Sequence, residues 1–191
     1  MKKWFMITAG IICFLVVSFI SIICFYKIEP EIKFKSPAKI LAFNKSIVAT
    51  NANGYTDENA EYGKILEQLK NMTTLTVFEK LKNGNELKNK VYQEDEDFSA
   101  TDISTIKGNN VVIELQYDKM QGLVVYVGKN TRVVSYYWLM VVIPVSKPYS
   151  YVNLYFSTTP DESDHSSSYL ENDVLKIYSK THQIVKFIKS L

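Results

Sequence analysis

The chain has 191 residues with 22 basic and 20 acidic side chains, and its first 27 residues hold three lysines and no acid, which leaves 19 against 20 beyond them. A near-neutral remainder lacks the electrostatic footprint that nucleic acid requires, so DNA and RNA binding are set aside. Both cysteines, Cys13 and Cys24, fall in the amino-terminal run, so the rest has no thiol for a disulfide, a metal site or a nucleophile.

Lys2 and Lys3 precede an uncharged run from Trp4 to Tyr26, in which 13 of 23 residues are Ile, Leu, Val or Phe. Each contributes about −0.3 to −0.6 kcal/mol to insertion, and at about 1.5 Å per residue the run spans a hydrocarbon layer. Trp4 and Tyr26 bracket it as interfacial aromatics do. No A-x-A-like cleavage site follows, and Ile12 and Ile23 occupy the positions before the two cysteines where lipid attachment would want a small residue. Residues 1–27 therefore read as an uncleaved transmembrane signal anchor, with the lipid bilayer as partner through residues 4–26. Lys2 and Lys3 compete with Lys27, Lys33, Lys35 and Lys39 on the other side. The Lys-Lys start has the layout of a signal anchor, which favours the amino terminus inside and a single-pass protein of the cell membrane with its domain outside the cytoplasm. The ratio of 21 Lys to the single Arg132 hints at AT-rich coding and a bacterial source.

Residues 28–37, with Pro30 and Pro37 among charges, read as an extended tether. One extracytoplasmic α+β domain is expected over residues 38–191, long enough for an ordinary core. Lys39 to Phe43 predicts a strand. Thr56 is the expected N-cap of a helix from about Asp57 to Asn71, because Tyr62, Ile65, Leu66, Leu69 and Met72 recur at helical spacing. Thr74 to Leu81 is β-rich and Asn83-Gly84 suits a tight turn, which predicts a hairpin returning through Leu87 to Tyr92. The acidic run Glu94 to Asp97 and the polar stretch to Asn110 read as loop.

From Val111 the residues Val111, Ile113, Leu115 and Tyr117 alternate with Val112, Glu114 and Gln116, the pattern of a strand buried on one face. A turn at Asp118 to Gly122, a strand Leu123 to Val127, a run Arg132 to Ile143 and a strand Tyr149 to Phe156 complete a four-strand antiparallel meander. The uncharged stretch Val133 to Val145 is too short and too β-branched for a second span, and reads as a buried central strand. Ser168 to Glu171 has capping-box form, and Leu170, Val174, Ile177, Thr181, Ile184, Ile188 and Leu191 follow at four- and three-residue steps. These predict a C-terminal helix packed on the sheet, with a partner-binding or coiled-coil helix as the sharper alternative.

Chemistry is thinly marked. Asp161, Glu162, Asp164 and His165 carry metal-ligating atoms without the spacing of a calcium loop, so this segment and Glu94 to Asp97 read as solvated loops. His165 and His182 are the two histidines, and His182 reads as a helix-face residue. No G-x-S-x-G, H-E-x-x-H, P-loop or dinucleotide fingerprint occurs. No catalytic residue, cofactor or metal is expected. Thirteen tyrosines stand out, and Tyr149, Tyr151 and Tyr155 share one sheet face, which would form a stacking surface if exposed. The expectation is a membrane-anchored, non-enzymatic binding or interaction module, such as a sensor, an envelope accessory or an immunity-type protector, with a protein or cell-envelope partner. The alternative is a cell-envelope hydrolase whose carboxylates meet only in the fold.

Overall fold

The computed structural model of the chain describes residues 2–28, 34–43, 53–82, 92–93, 110–127, 130–145, 149–160 and 174–191. Helix α1 (Lys2–Phe25) carries the apolar run and ends where Tyr26 donates its N–H to the Ile22 carbonyl. The segment Ile7–Phe25 is long and apolar enough to cross a membrane, and none of its hydrophobic side chains is buried in the protein. Strand β1 (Lys27–Ile28) follows directly.

The body is α+β, built on a seven-stranded antiparallel sheet. Its strands are β2 (Lys39–Phe43), β3 (Asn53–Tyr55), β5 (Tyr92–Gln93), β6 (Val111–Val127), β7 (Asn130–Ile143), β8 (Tyr149–Ser157) and β9 (Val174–Lys180), in the spatial order β3-β2-β6-β7-β8-β9-β5. Helix α2 (Ala60–Thr73) leads through β4 (Leu75–Thr76) into helix α3 (Val77–Lys82), and α4 (His182–Ile188) closes the chain. Strands β1 and β4 form a separate two-stranded ladder that pairs Lys27 with Thr76 and Ile28 with Leu75.

Both faces of the centre of the sheet are buried. On the first, Tyr62, Ile65, Leu69 and Met72 of α2 and Ile184 and Ile188 of α4 meet Ile40, Ile113, Leu139, Leu154 and Phe156. The expected stripe of α2 is therefore its buried face, with Leu66 packed at its margin. On the second, Leu41, Phe43, Val112, Trp138, Met140, Val142 and Tyr155 form a cluster of strand residues alone, among those described. Burying β2 on both sides follows from its sequence, Ile40 and Ala42 serving one face and Leu41 and Phe43 the other.

Four local expectations are corrected. Helix α2 begins at Ala60 and not at Asp57, because the Asn59 side-chain carbonyl accepts from the Thr56 N–H at 2.7 Å and closes a turn ahead of the helix. The N-cap position thus belongs to Asn59. The hairpin after α2 is replaced by α3. Thr76 accepts from the Glu79 N–H at 3.2 Å while the Glu79 carboxylate accepts from the Thr76 N–H at 2.7 Å, a reciprocal capping box that outweighs the β-propensity of the segment. The Asn83-Gly84 turn and Leu87 lie outside the described residues, and Tyr92 sits in β5, paired with Leu175 of β9.

The third correction is the turn at Asp118 to Gly122. Strand β6 runs through it, and five steps from Gln116 to Gln121 lie alongside two steps from Trp138 to Tyr136 on β7. The surplus leaves the ladder as an exposed bulge at Asp118, Lys119 and Met120, closed where Gln121 donates to the Lys119 carbonyl at 2.7 Å and accepts from Lys35 Nζ at 3.0 Å. The fourth is the C-terminal helix. Val174–Lys180 is strand β9, pairing with β8 from Tyr149↔Lys180 to Leu154↔Leu175, and helix resumes only at His182. A helix there would have put both Ile177 and its neighbour Tyr178 near one boundary, whereas the strand buries Ile177 on the first face and Tyr178 on the other. The meander keeps four strands, with β9 in place of the half that β6 absorbs. Ser168 to Glu171 lie outside the described residues.

Residues 34–38, expected within the tether or at its end, are tied to the body. The Tyr62 hydroxyl donates to the Pro37 carbonyl, the Tyr117 hydroxyl donates to the Lys35 carbonyl at 3.3 Å, and the Ala38 N–H donates to the Gln116 carbonyl at 2.7 Å.

The capping box makes a quantitative test. Thr76→Ala and Glu79→Ala should each lower the unfolding free energy by about 1 kcal/mol, and the double substitution by less than the two together, since both act in one motif. Urea unfolding of the full chain in detergent micelles measures it, and strict additivity would contradict the box.

Candidate functional site

The three tyrosines singled out on β8 have unlike surroundings. Tyr155 is 5% exposed within the second cluster, so it cannot stack on a ligand at the surface. Tyr151 is half-buried with its ring edge-on to Tyr178, centroids 5.5 Å apart at 74°. The Tyr149 side chain lies outside the described residues. The row is thus partly packing, and Tyr178, which falls within the segment expected to be helical, is the cross-strand partner of Tyr151.

The same face holds a group expected at the solvent. Glu114 is 0% exposed, opposite Leu41 on one side and Met140 on the other, with Tyr155 next in the row. The neighbouring row is Gln116, Trp138 and Ser157, the last two also fully buried. Period-two alternation on β6 assigns Glu114 to a polar face. What it misses is that Trp138, Met140 and Val142 on the adjacent strand make that face a second interior. The uncharged stretch Val133 to Val145 was the available signal, because a strand apolar at every position buries both sides. Among the described residues no three His, Cys, Asp or Glu side chains gather as a metal would need. His182 is exposed in the first turn of α4, while Glu94 to Asp97 and Asp161 to His165 lie outside the described residues.

On the first face, Tyr117 and Tyr136 meet edge to face at 5.6 Å and 80°, and Tyr136 continues to Phe156 at 5.3 Å. Burial pushes the Tyr136 phenol up to about 12 and raises those of Tyr117 and Tyr62, with Asp57 adding to the rise at Tyr62 and a hydrogen bond from Ser36 opposing it. A buried phenol pays no charge penalty while it stays protonated, and the hydroxyls of Tyr117 and Tyr62 hold residues 35 and 37 in place.

The feature that sequence reading did not isolate is an arm. β2 pairs with β6 only as far as Gln116, and β8 pairs with β7 only as far as Trp138. Past the bulge, β6 and β7 continue as a two-stranded ribbon from Gln121↔Tyr136 to Val127↔Asn130. No other described strand pairs with either outer edge of it. Its inner face is anchored, with Val134 and Tyr136 buried and Leu123 packed against the core. Its outer face presents Gly122 and Val133, the latter 61% exposed, and the bulge at its root presents Met120. A Cβ on Gly122 would come within 3.4 Å of Val133 Cγ1, so the valine lies flat over the glycine. Unpaired strand edges beside exposed apolar side chains can accept an extended peptide through main-chain hydrogen bonds. Compared with protein-family models, with curated proteins and with solved structures, the chain matches none.

The tyrosine cluster makes the domain alkali-sensitive in a defined window. A raised folded-state pKa means that the folded form holds its proton more tightly, so this stabilisation is complete below the ordinary value of 10.0 and is lost as pH climbs toward about 12. The urea midpoint should fall across that interval together with the late part of the tyrosinate absorbance, and Tyr136→Phe should flatten the fall. A midpoint that stays level through the interval would count against the cluster.

Proposed function

We propose that the chain is a single-pass membrane protein whose domain, held outside the cytoplasm, is a binding module that meets its partner through the β6–β7 arm. The observation that carries this reading is the arm itself. A two-stranded ribbon is marginal in water, and here one face is secured to the core while, among the described residues, no strand pairs with either edge. Strand addition supplies affinity through the backbone, and apolar positions such as Val133 supply selectivity. Helix α1 supports the membrane address by its length, its apolar character and the exposure of its side chains to whatever surrounds it. A sensor subunit, an envelope accessory and an immunity-type protector are the concrete forms of such a module. The partner has the chemistry of a protein or peptide able to present an extended segment.

The test is photo-crosslinking in cells. A benzoylphenylalanine replacing Met120 should give a discrete adduct, and adding Val133→Asp should reduce that adduct about tenfold while changing domain stability by no more than about 1 kcal/mol. The same probe at Lys64, exposed on α2, should give none. Equal adducts from both positions, or insensitivity to Val133→Asp, would remove the arm from the reading.

A further inference from the structure

We propose that α3 lies on the bilayer surface beside the end of α1, seating Phe78 among the lipid headgroups and so fixing which way the domain faces. The inference rests on the reading of α1 as a membrane span. Three observations join the two helices. Val77 at the start of α3 donates its N–H to the Tyr26 carbonyl at 3.2 Å. The β1–β4 ladder pairs the two residues after α1's exit with the two that precede α3. Helix α1 also touches α3 and β4 directly, and Ile23 and Cys24 at that end are half-buried.

Depth follows from length. The 19 residues Ile7–Phe25 extend about 28 Å at 1.5 Å per residue, close to a hydrocarbon thickness of about 30 Å. Phe25 and Tyr26 then sit at the lipid boundary, and α3, bonded to Tyr26, sits at the same level. Glu79 turns toward the body, where its carboxylate serves the capping box and meets Lys180 Nζ at 3.5 Å. The preceding side chain, Phe78, is left 50% exposed, and Tyr26, bonded through its carbonyl to the neighbouring Val77, is 63% exposed. Two aromatic rings exposed at a membrane exit are stabilised by the interfacial region, where an apolar ring gains contact and the headgroups stay hydrated.

The seat sets the polarity of the whole domain. Helix α2 carries Tyr62, bonded to Pro37, near its start and Thr73, beside β4, at its end, and the rise from one to the other at 1.5 Å per residue is about 17 Å. The sheet runs the same way, with Tyr149 and Lys180 at the α3 end and Gln116, Trp138 and Ser157 beside the bulge. The arm accordingly leaves the body on the side remote from the lipid.

Depth-dependent quenching tests this on the full chain. In a Cys13→Ala, Cys24→Ala background, Phe78→Cys and Met120→Cys are each labelled with an environment-sensitive nitrobenzoxadiazole and reconstituted into phosphatidylcholine vesicles. The label at position 78 should emit at shorter wavelength and lose about half its intensity with lipids brominated high on the acyl chain, as interfacial groups do. The label at position 120 should behave as in water. Identical, water-like signals at both positions, from chains that stay with the vesicles through an alkaline carbonate wash, would overturn the seat and leave the span intact. Release of the chain by that wash would overturn the span and the seat with it.

Discussion

The domain depends on one constraint, the pairing of β6 with β7 along almost their full lengths. From Val111↔Ile143 to Gln116↔Trp138 the ladder is covered on both faces, so each residue of either strand has a core to enter, whichever way it points. β2 joins one edge and β8 the other, and α2 and α4 pack on the first face. Hydrogen bonding fixes the register, and the register decides which side chains reach which interior: one step of slip would send Ile113 to the face of Trp138.

The bulge is where that logic stops. Three residues leave one strand here, at the point where the pairing of β2 and β8 stops, and no other described strand pairs with β6 or β7 beyond it. Lys35 and Gln121 bond across this point, and Tyr117 reaches the Lys35 carbonyl close by. The segment before β2 thus braces the place where the wider sheet narrows, among the described strands, to the β6–β7 ribbon. Deep burial of Tyr117 and Tyr136 beneath the brace gives the ribbon a rigid root.

Elements whose local preference and tertiary role agree were legible in the sequence. The amino-terminal helix, the apolar stripe of α2, strand β2 and the antiparallel meander belong to this group. Where the two disagreed, reading failed for identifiable reasons. Val174 to Lys180 fits helical spacing and strand spacing alike, and the free edge of β8, which no local pattern reveals, decided for the strand. Val77 to Lys82 looks β-rich, and a capping box four residues long decided for the helix. Glu114 alternates like a surface residue, and the covering of its face depends on residues far away in the chain. The arm was invisible because it is defined by where β2 and β8 end, a property of neighbours and not of its own residues.

The junction at the amino end has a mechanical meaning. A helix joined to a domain by a slack connection can spin and tilt without the domain responding. Here the Tyr26 carbonyl, the two pairs of the β1–β4 ladder and the contact with α3 hold the helix end at several points that do not lie on its axis. Torque applied to α1 must therefore pass into β4, from there into α2, and through the buried face of α2 into the sheet. Turning α1 without also moving β4 and α3 would break the Tyr26–Val77 hydrogen bond and both pairs of the ladder.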